Sequence, residues 1–276
     1  MSRASNLVKW ALTLGREPQN FLGAPWIQTF LRSVPASKKR LWALRILSLS
    51  PHYFIDQENI GLSETKDSEF LENISGAITR SRDDIVDRLF KSELDASFTV
   101  MDYGCGPGYL AKAVAPFVTK VYGVDISGGA LACARIINGA DNIEYLNAMG
   151  ELDKIPDGKI DVIDSFAVVQ HLTDEVFEQV LAVCQKKLKP GGRLILHIQL
   201  PDKVWKAQDD WQNDTSIKGR LKYRYGLHCF GRSEQQYFDF VRRHGFNNIQ
   251  IEPIADRFPG QEIELASQRL LTARKT

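Results

Sequence analysis

The run Val100-Met-Asp102-Tyr-Gly104-Cys-Gly106-Pro-Gly108 joins a short apolar stretch to a helical one, and its reading decides the fold. Glycines let a backbone turn tightly and approach a ligand closely, and a helix start behind them presents unpaired amides. A dinucleotide-binding loop has the spacing G-x-G-x-x-G. Here the position three after Gly106 is Tyr109, so the spacing is G-x-G-x-G, with Asp102 two residues before the first glycine. Asp102 would repel a pyrophosphate and attract a cationic ligand bearing an amino group. Downstream, Lys120-Val-Tyr-Gly-Val-Asp125 reads as a second strand that ends in an acid 19 residues after Gly106. That is where α/β nucleotide sites keep a carboxylate for ribose hydroxyls.

Strand and helix alternate outward from this point. Residues 98–103 and 120–125 predict strands one and two, with a helix over 109–117 between them. Ser127 caps a helix to about 138, and 142–147 and 160–166 predict strands three and four. A helix over 173–188 is stopped by Lys189-Pro190-Gly191-Gly192, and 193–199 predicts strand five. This interval argues for a parallel sheet covered on both faces. Beyond it, Ser233 and Gln236 form a capping-box signature for a helix to His244. Strands near 248–253 and 262–272 are then joined by so short a loop that they must be antiparallel. The expected fold is α/β, a Rossmann-like, seven-stranded, mostly parallel sheet with an antiparallel last strand. A helical extension or lid covers 1–97, the domain proper covers 98–276, and an inserted cap covers 201–231.

The extension differs in charge from the rest. The chain has 276 residues with 35 Lys+Arg against 34 Asp+Glu, a net charge of +1. Residues 1–50 hold Arg3, Lys9, Arg16, Arg32, Lys38, Lys39, Arg40 and Arg45 against Glu17 alone, so this segment carries +7 and the remainder −6. A helix over 37–49 has Trp42, Ala43, Leu44, Ile46, Leu47 and Leu49 in a broad apolar arc that needs a partner surface, and a second helix is predicted over 68–91. Packing on this chain is the simplest use of that arc, and a membrane surface is the other. At 43% hydrophobic and 25% charged, the composition is that of a globular protein and excludes disorder and disulfide scaffolds. Cys105, Cys133, Cys184 and Cys229 lack the close spacing of metal ligands and read as reduced thiols, so no metal is expected. No stretch approaches the ~20 apolar residues of a membrane span, and a cytoplasmic location is the expectation.

With these motifs assembled, the chain resembles the class I S-adenosylmethionine-dependent methyltransferases, in particular the small-molecule group similar to the ubiquinone/menaquinone-biosynthesis methyltransferases. The resemblance covers 98–273 and rests on the ordered motifs Asp102-Tyr-Gly104-Cys-Gly106-Pro-Gly108, Val124-Asp125-Ile-Ser127, Pro156-Asp-Gly158, Val168-Val-Gln-His171-Leu172 and Leu188-Lys-Pro190-Gly191-Gly192. It implies S-adenosyl-L-methionine as cofactor, with Gly104, Gly106 and Gly108 under the methionyl part and Asp125 on the ribose. Asp102, Ile126 and Met149 join the cofactor-binding set, Met149 by stacking on the adenine. The acid the family often has just after strand three is absent, and Asn147 or Glu151 are its candidate substitutes.

Methyl transfer from a sulfonium is an in-line displacement that needs alignment and exclusion of water. His171 is the candidate general base for a hydroxyl acceptor, because a histidine titrates near neutrality and the loop after strand four opens to the crevice. His197, on strand five, reads as a core histidine. In the cap, Lys218, Arg220, Lys222 and Arg224 alternate with Leu221, Tyr223 and Tyr225, which puts cations on one face of a strand. Arg220, Arg224 and Tyr223, with Tyr53 of the extension, are the candidate acceptor residues. The expected acceptor is a small molecule, anionic or lipid-linked, in an O-methylation of a sugar, lipid or specialised metabolite. Competing readings are an RNA methyltransferase, carbon methylation or cyclopropanation of a lipid, and a non-catalytic scaffold. Nucleic acid is not expected of a neutral chain that has Asp164-Ser-Phe-Ala where base-methylating enzymes carry D/N-P-P-Y/F/W, and the +7 segment is a candidate for peripheral membrane contact.

Overall fold

Strand formation begins at the apolar run before the glycines. In the computed structural model, which describes residues 25–48, 68–201, 213, 215–216, 230–261 and 265–276, β1 is Thr99–Tyr103 and is followed by helix α4, Tyr109–Val114. Three helices precede it: α1 Pro25–Ser33, α2 Ala36–Leu47 and α3 Ser68–Ile85. Then come β2 Lys120–Asp125, α5 Gly128–Ile137, β3 Ile143–Asn147, β4 Ile160–Ser165, α6 Asp174–Lys187 and β5 Leu188–Gln199. The chain ends with α7 Glu234–Arg243, β6 Phe246–Pro253 and β7 Gln268–Lys275. The seven strands form one sheet in the order β3-β2-β1-β4-β5-β7-β6. Pairs from β3 to β5 are parallel, and β7 runs antiparallel to both β5 and β6. The chain winds outward from β1 to β3 and returns to β4 on the other side, so the crevice at the carboxyl ends of β1 and β4 is the switch point where such sheets bind ligands.

Local chemistry explains most boundaries. Ser127, Thr173 and Ser233 cap α5, α6 and α7 by accepting from Ala130, Val176 and Gln236 amides, and Gln236 completes the capping box. Pro116 converts the end of the expected 109–117 helix to a 3-10 turn, Ala115–Phe117, because it has no N–H to donate. Pro25 opens α1 at a position where a missing N–H has no cost. The Lys189-Pro-Gly-Gly run does end α6, but it lies inside β5 and not ahead of it. Ile160 pairs with Leu188 and Val162 with Arg193, so four residues bulge against one. The last strand starts at Gln268, later than the expected 262, and Leu265 in the turn before it packs against the apolar cluster that contains Phe258 and Ile254.

Each sheet face is buried. Val100, Val121, Val162 and Ile195 pack under Leu110, Val114, Leu89 and Phe90, and Met101, Val124, Ile163 and Leu194 pack under Phe177, Leu181 and Tyr237. Each such side chain contributes roughly 2 kcal/mol by leaving water. The apolar arc of α2 is spent within the chain: Ala43, Leu44, Ile46 and Leu47 are buried with Ile27 and Leu31 of α1 against Ala130 and Cys133 of α5. Arg40 clamps this layer, with its Nε and Nη2 on the Glu72 carboxylate at 2.8 and 2.9 Å and Nη1 on the Ile137 carbonyl at 3.2 Å. The described cysteines, Cys105, Cys133 and Cys184, are free and buried.

Lys187 is the least expected core residue. It is 3% exposed, and its Nζ donates to the Ile155 carbonyl at 2.7 Å and to Asp157 Oδ1 at 2.6 Å. It thereby ties the Pro156-Asp-Gly158 turn to the end of α6. Lys187→Met keeps the aliphatic stem and removes both bonds. Urea unfolding is expected to show a loss of about 2 kcal/mol, and an unchanged midpoint would remove this role.

Candidate functional site

The glycine loop is shaped by neighbours that leave no room for side chains. Gly104, Gly106 and Gly108 all have positive φ, at 88°, 52° and 78°. A Cβ at Gly104 would lie 2.5 Å from Val168 Cγ2, and one at Gly108 would lie 2.2 Å from the Tyr145 hydroxyl. The loop is therefore pressed between the segment after β4 and strand β3. Its amides turn back into the sheet, with Gly104 and Cys105 N–H both donating to the Val124 carbonyl at 2.7 and 3.0 Å.

Asp125 joins the loop to the end of β2. Its Oδ2 accepts from Gly106 N–H at 2.9 Å and its Oδ1 from Ser127 N–H at 2.7 Å. Burial raises its pKa, and the Ser127 and Gly106 amides oppose that rise. A carboxylate held this way keeps a free lone pair on each oxygen, the arrangement that receives two vicinal hydroxyls. Beside it, Ile126 and Met149 are 56% and 80% exposed, two of the four large hydrophobic side chains left exposed among the described residues. Ile126 follows Asp125 directly, and Met149 follows Ala148, whose N–H donates to the Asp125 carbonyl at 3.0 Å. Asn147 and Glu151, the candidate substitutes for the missing acid, are engaged by their own loop and by the turn after β2. Asn147 Nδ2 donates to the Ile126 carbonyl at 3.1 Å, its Oδ1 accepts from Met149 N–H at 2.8 Å, and Glu151 Oε2 accepts from Asn147 N–H at 2.8 Å.

Asp102 and Asp164 occupy paired positions on β1 and β4, and both are almost fully buried. Asp102 Oδ2 and Asp164 Oδ1 have no hydrogen-bond partner among the described residues. Burial, reinforced by the charge of Asp125, pushes the Asp102 pKa up to about 7. Burial and the charge of Asp102 raise Asp164 as well. Orphaned acceptors of this kind fit a cationic, amino-bearing ligand. Arg82 of α3 supplies the opposite charge: it opposes the rise of Asp102, and its guanidinium lies 5.8 Å from the Phe166 ring centre. A buried carboxylate cluster with one arginine at its rim matches an amino acid moiety that presents both an ammonium and a carboxylate. Arg82 escaped the sequence reading, which had only its helical phase to go on.

His171 ends a 3-10 turn, Val169–His171, and is partly exposed. This turn is held from below by Arg232, which is 2% exposed, donates Nε to Asp174 Oδ1 at 2.6 Å and Nη1 to the Val169 carbonyl at 3.2 Å, and also reaches the Leu172 carbonyl. Sequence reasoning passed over Arg232 as well, because it lies some 60 residues from its partners. His197 is a satisfied core histidine. It is 4% exposed, its Nε2 meets Gln268 Oε1 at 2.9 Å, and burial lowers its pKa to about 4.

The structure thus brings Asp102, Gly104, Gly106, Gly108, Asp125, Ile126 and Met149 to one crevice edge, with His171 on the neighbouring segment after β4. Tyr53, Arg220, Tyr223 and Arg224 lie outside the described residues. Groups of three or more residues able to hold a metal do not occur among the described residues, and no helix there is long and apolar enough to cross a membrane.

Comparison with known proteins agrees with this geometry. A family model described as a methyltransferase domain matches residues 101–196. The ubiquinone biosynthesis O-methyltransferase of Pseudomonas paraeruginosa is 31% identical over 105 residues, 37% of this chain and 44% of that protein. The matched segment spans less than half the length of the first curated relatives. Among solved structures, an S-adenosylmethionine-dependent methyltransferase from Mesorhizobium loti superposes with a TM-score of 0.51 at 22% identity, over 65% of this chain and 92% of the other. The [4+2]-cyclase SpnF superposes equally well, with a TM-score of 0.51 at 18% identity over 71% of this chain and 81% of its own; the fold alone therefore does not name a reaction. Motif order and sheet topology agree with the family match, and residues 101–196 are similar to the methyltransferase domain of class I S-adenosylmethionine-dependent methyltransferases.

Proposed function

We propose that this domain transfers a methyl group from S-adenosyl-L-methionine to an oxygen of a small organic acceptor. The observation that carries the reading is Asp125, its carboxylate fixed by the Gly106 and Ser127 amides, with the exposed Ile126 and Met149 beside it. When bound, the cofactor supplies an electrophilic methyl group on a sulfonium. The chain's residues do the rest: Asp125 accepts the ribose hydroxyls, Ile126 and Met149 exclude water from the adenine, and Asp102 and Arg82 hold the amino acid end. Fixing donor and acceptor in line supplies most of the rate.

His171 is the proposed base that takes the acceptor's proton as the oxygen attacks. His171→Ala is expected to lower turnover by about 100-fold with S-adenosylmethionine affinity unchanged, and full turnover in the variant would remove the assignment. Arg220 and Arg224, with Tyr223 and Tyr53, are proposed to recognise an anionic or lipid-linked acceptor, and charge reversal at the two arginines should raise its apparent KM. Calorimetric titration with S-adenosylmethionine tests the cofactor, and a metabolite screen read by S-adenosylhomocysteine release tests the reaction. A protein that binds no cofactor would be a scaffold, and salt-dependent RNA binding would turn the reading to a nucleic acid acceptor.

A further inference from the structure

We propose that His197 is a positioning residue for the cofactor loop, a neutral imidazole that acts through Ala167 and Val168 to set where Gly104 stands. Ala167 lies directly after β4 and Phe166 and has φ 59°, a left-handed conformation that an alanine adopts at a cost. Something must hold it there. Its N–H donates to His197 Nδ1 at 3.2 Å, and the Phe166 ring stacks on the imidazole with centroids 4.4 Å apart. With Nδ1 accepting, the ring proton sits on Nε2 and points at Gln268 Oε1, 2.9 Å away on β7. The tautomer is therefore fixed from both ends. The next residue, Val168, lies so close to Gly104 that a Cβ there would come within 2.5 Å of it. A continuous line runs from Gln268 on β7, through His197 on β5, to the bend at Ala167, and from Val168 to the first glycine of the loop. Burial keeps His197 uncharged, with the charges of Arg82 and His171 acting in the same direction.

The inference rests on the reading of residues 102–108 as the cofactor loop, and two measurements separate the two. The first is hydrogen exchange over that loop in the ligand-free protein; the second is calorimetric titration with S-adenosylmethionine. His197→Leu removes the acceptor for Ala167 N–H, whereas the Oδ1 of His197→Asn stands near the place of Nδ1 and restores it. The Leu variant is expected to exchange about tenfold faster over 104–108 than wild type, with α6 unchanged, and to bind the cofactor about tenfold more weakly. The Asn variant should stay within about threefold of wild type in both. Val168→Ala, which leaves His197 in place, should reproduce the Leu result. Equal loop protection in wild type and the Leu variant would overturn the proposal, as would equal losses in the Leu and Asn variants. Failure of wild type to bind S-adenosylmethionine, with the exchange differences intact, would support the positioning line and remove the cofactor reading instead.

Discussion

An Asp125→Ala variant is expected to bind S-adenosylmethionine at least about 100-fold more weakly than wild type while remaining folded. Two losses add. The ribose hydroxyls lose a charged acceptor, at about 1.5–3 kcal/mol for each hydrogen bond to a charged group. The amides of Gly106 and Ser127 lose the carboxylate that they now share, so the loop and the end of β2 come apart. About 2.7 kcal/mol corresponds to 100-fold in affinity, so the loss of both ribose bonds alone suffices. Asp125→Asn, with one amide oxygen still able to accept from a backbone N–H, should fall between the two. Calorimetry is the direct measurement, with circular dichroism to verify folding; an alanine variant within threefold of wild type would remove Asp125 from the site.

Asp102→Asn is expected to bind the cofactor less well and yet to resist heat better at pH 8. The Asp102 carboxyl ionises near 3.8 in an unfolded chain and at about 7 in the folded protein. Its contribution to stability is therefore fully present below about pH 4 and is lost as the pH rises through 7. Above that it costs on the order of 4 kcal/mol, at about 1.36 kcal/mol for each unit of displacement. A neutral amide removes the cost of the buried charge and relieves Asp164 of its neighbour's repulsion. The gain in Tm should accordingly be larger at pH 8 than at pH 5. The same change withdraws the negative charge that draws in a cationic ligand, so affinity should drop by about tenfold. A variant that is less stable at pH 8 and binds normally would show that Asp102 serves the fold and not the ligand.

What could be read ahead of the structure was local. The G-x-G-x-G spacing, the acid closing β2, the serines before α5 and α7 and the proline-glycine stop after α6 each act within a few residues, so the chain states them directly. The antiparallel final pair followed from a short connection. Arg82, Arg232, Asp164 and His197 act across elements: Asp164 matters because strand register sets it beside Asp102, and Arg232 because it folds under a turn 60 residues earlier. No periodicity encodes such pairings. The apolar arc of α2 announced a partner but not its identity. That partner is α5, which α1 also meets: Gly128 admits Gln28 of α1 so closely that a Cβ would stand 2.1 Å from its amide nitrogen. The extension thus braces the turn that carries Asp125 from behind.

The place of β7 has a consequence for the order of assembly. It follows β6 in the chain yet lies between β6 and β5, making seven paired positions with β5 and six with β6. While β7 is still being synthesised, β6 has no strand to pair with, and β5 presents a bare edge from Arg193 to Gln199. The parallel core can form early, but the sheet closes in a single late step that seats two strands at once. Gln268, the partner of His197, arrives only in that step, so in a nascent or truncated chain the imidazole that positions the glycine loop is not yet locked into its tautomer from the β7 side. Pairing across such sequence separation is slow, and the exposed β5 edge during that interval is where self-association would begin.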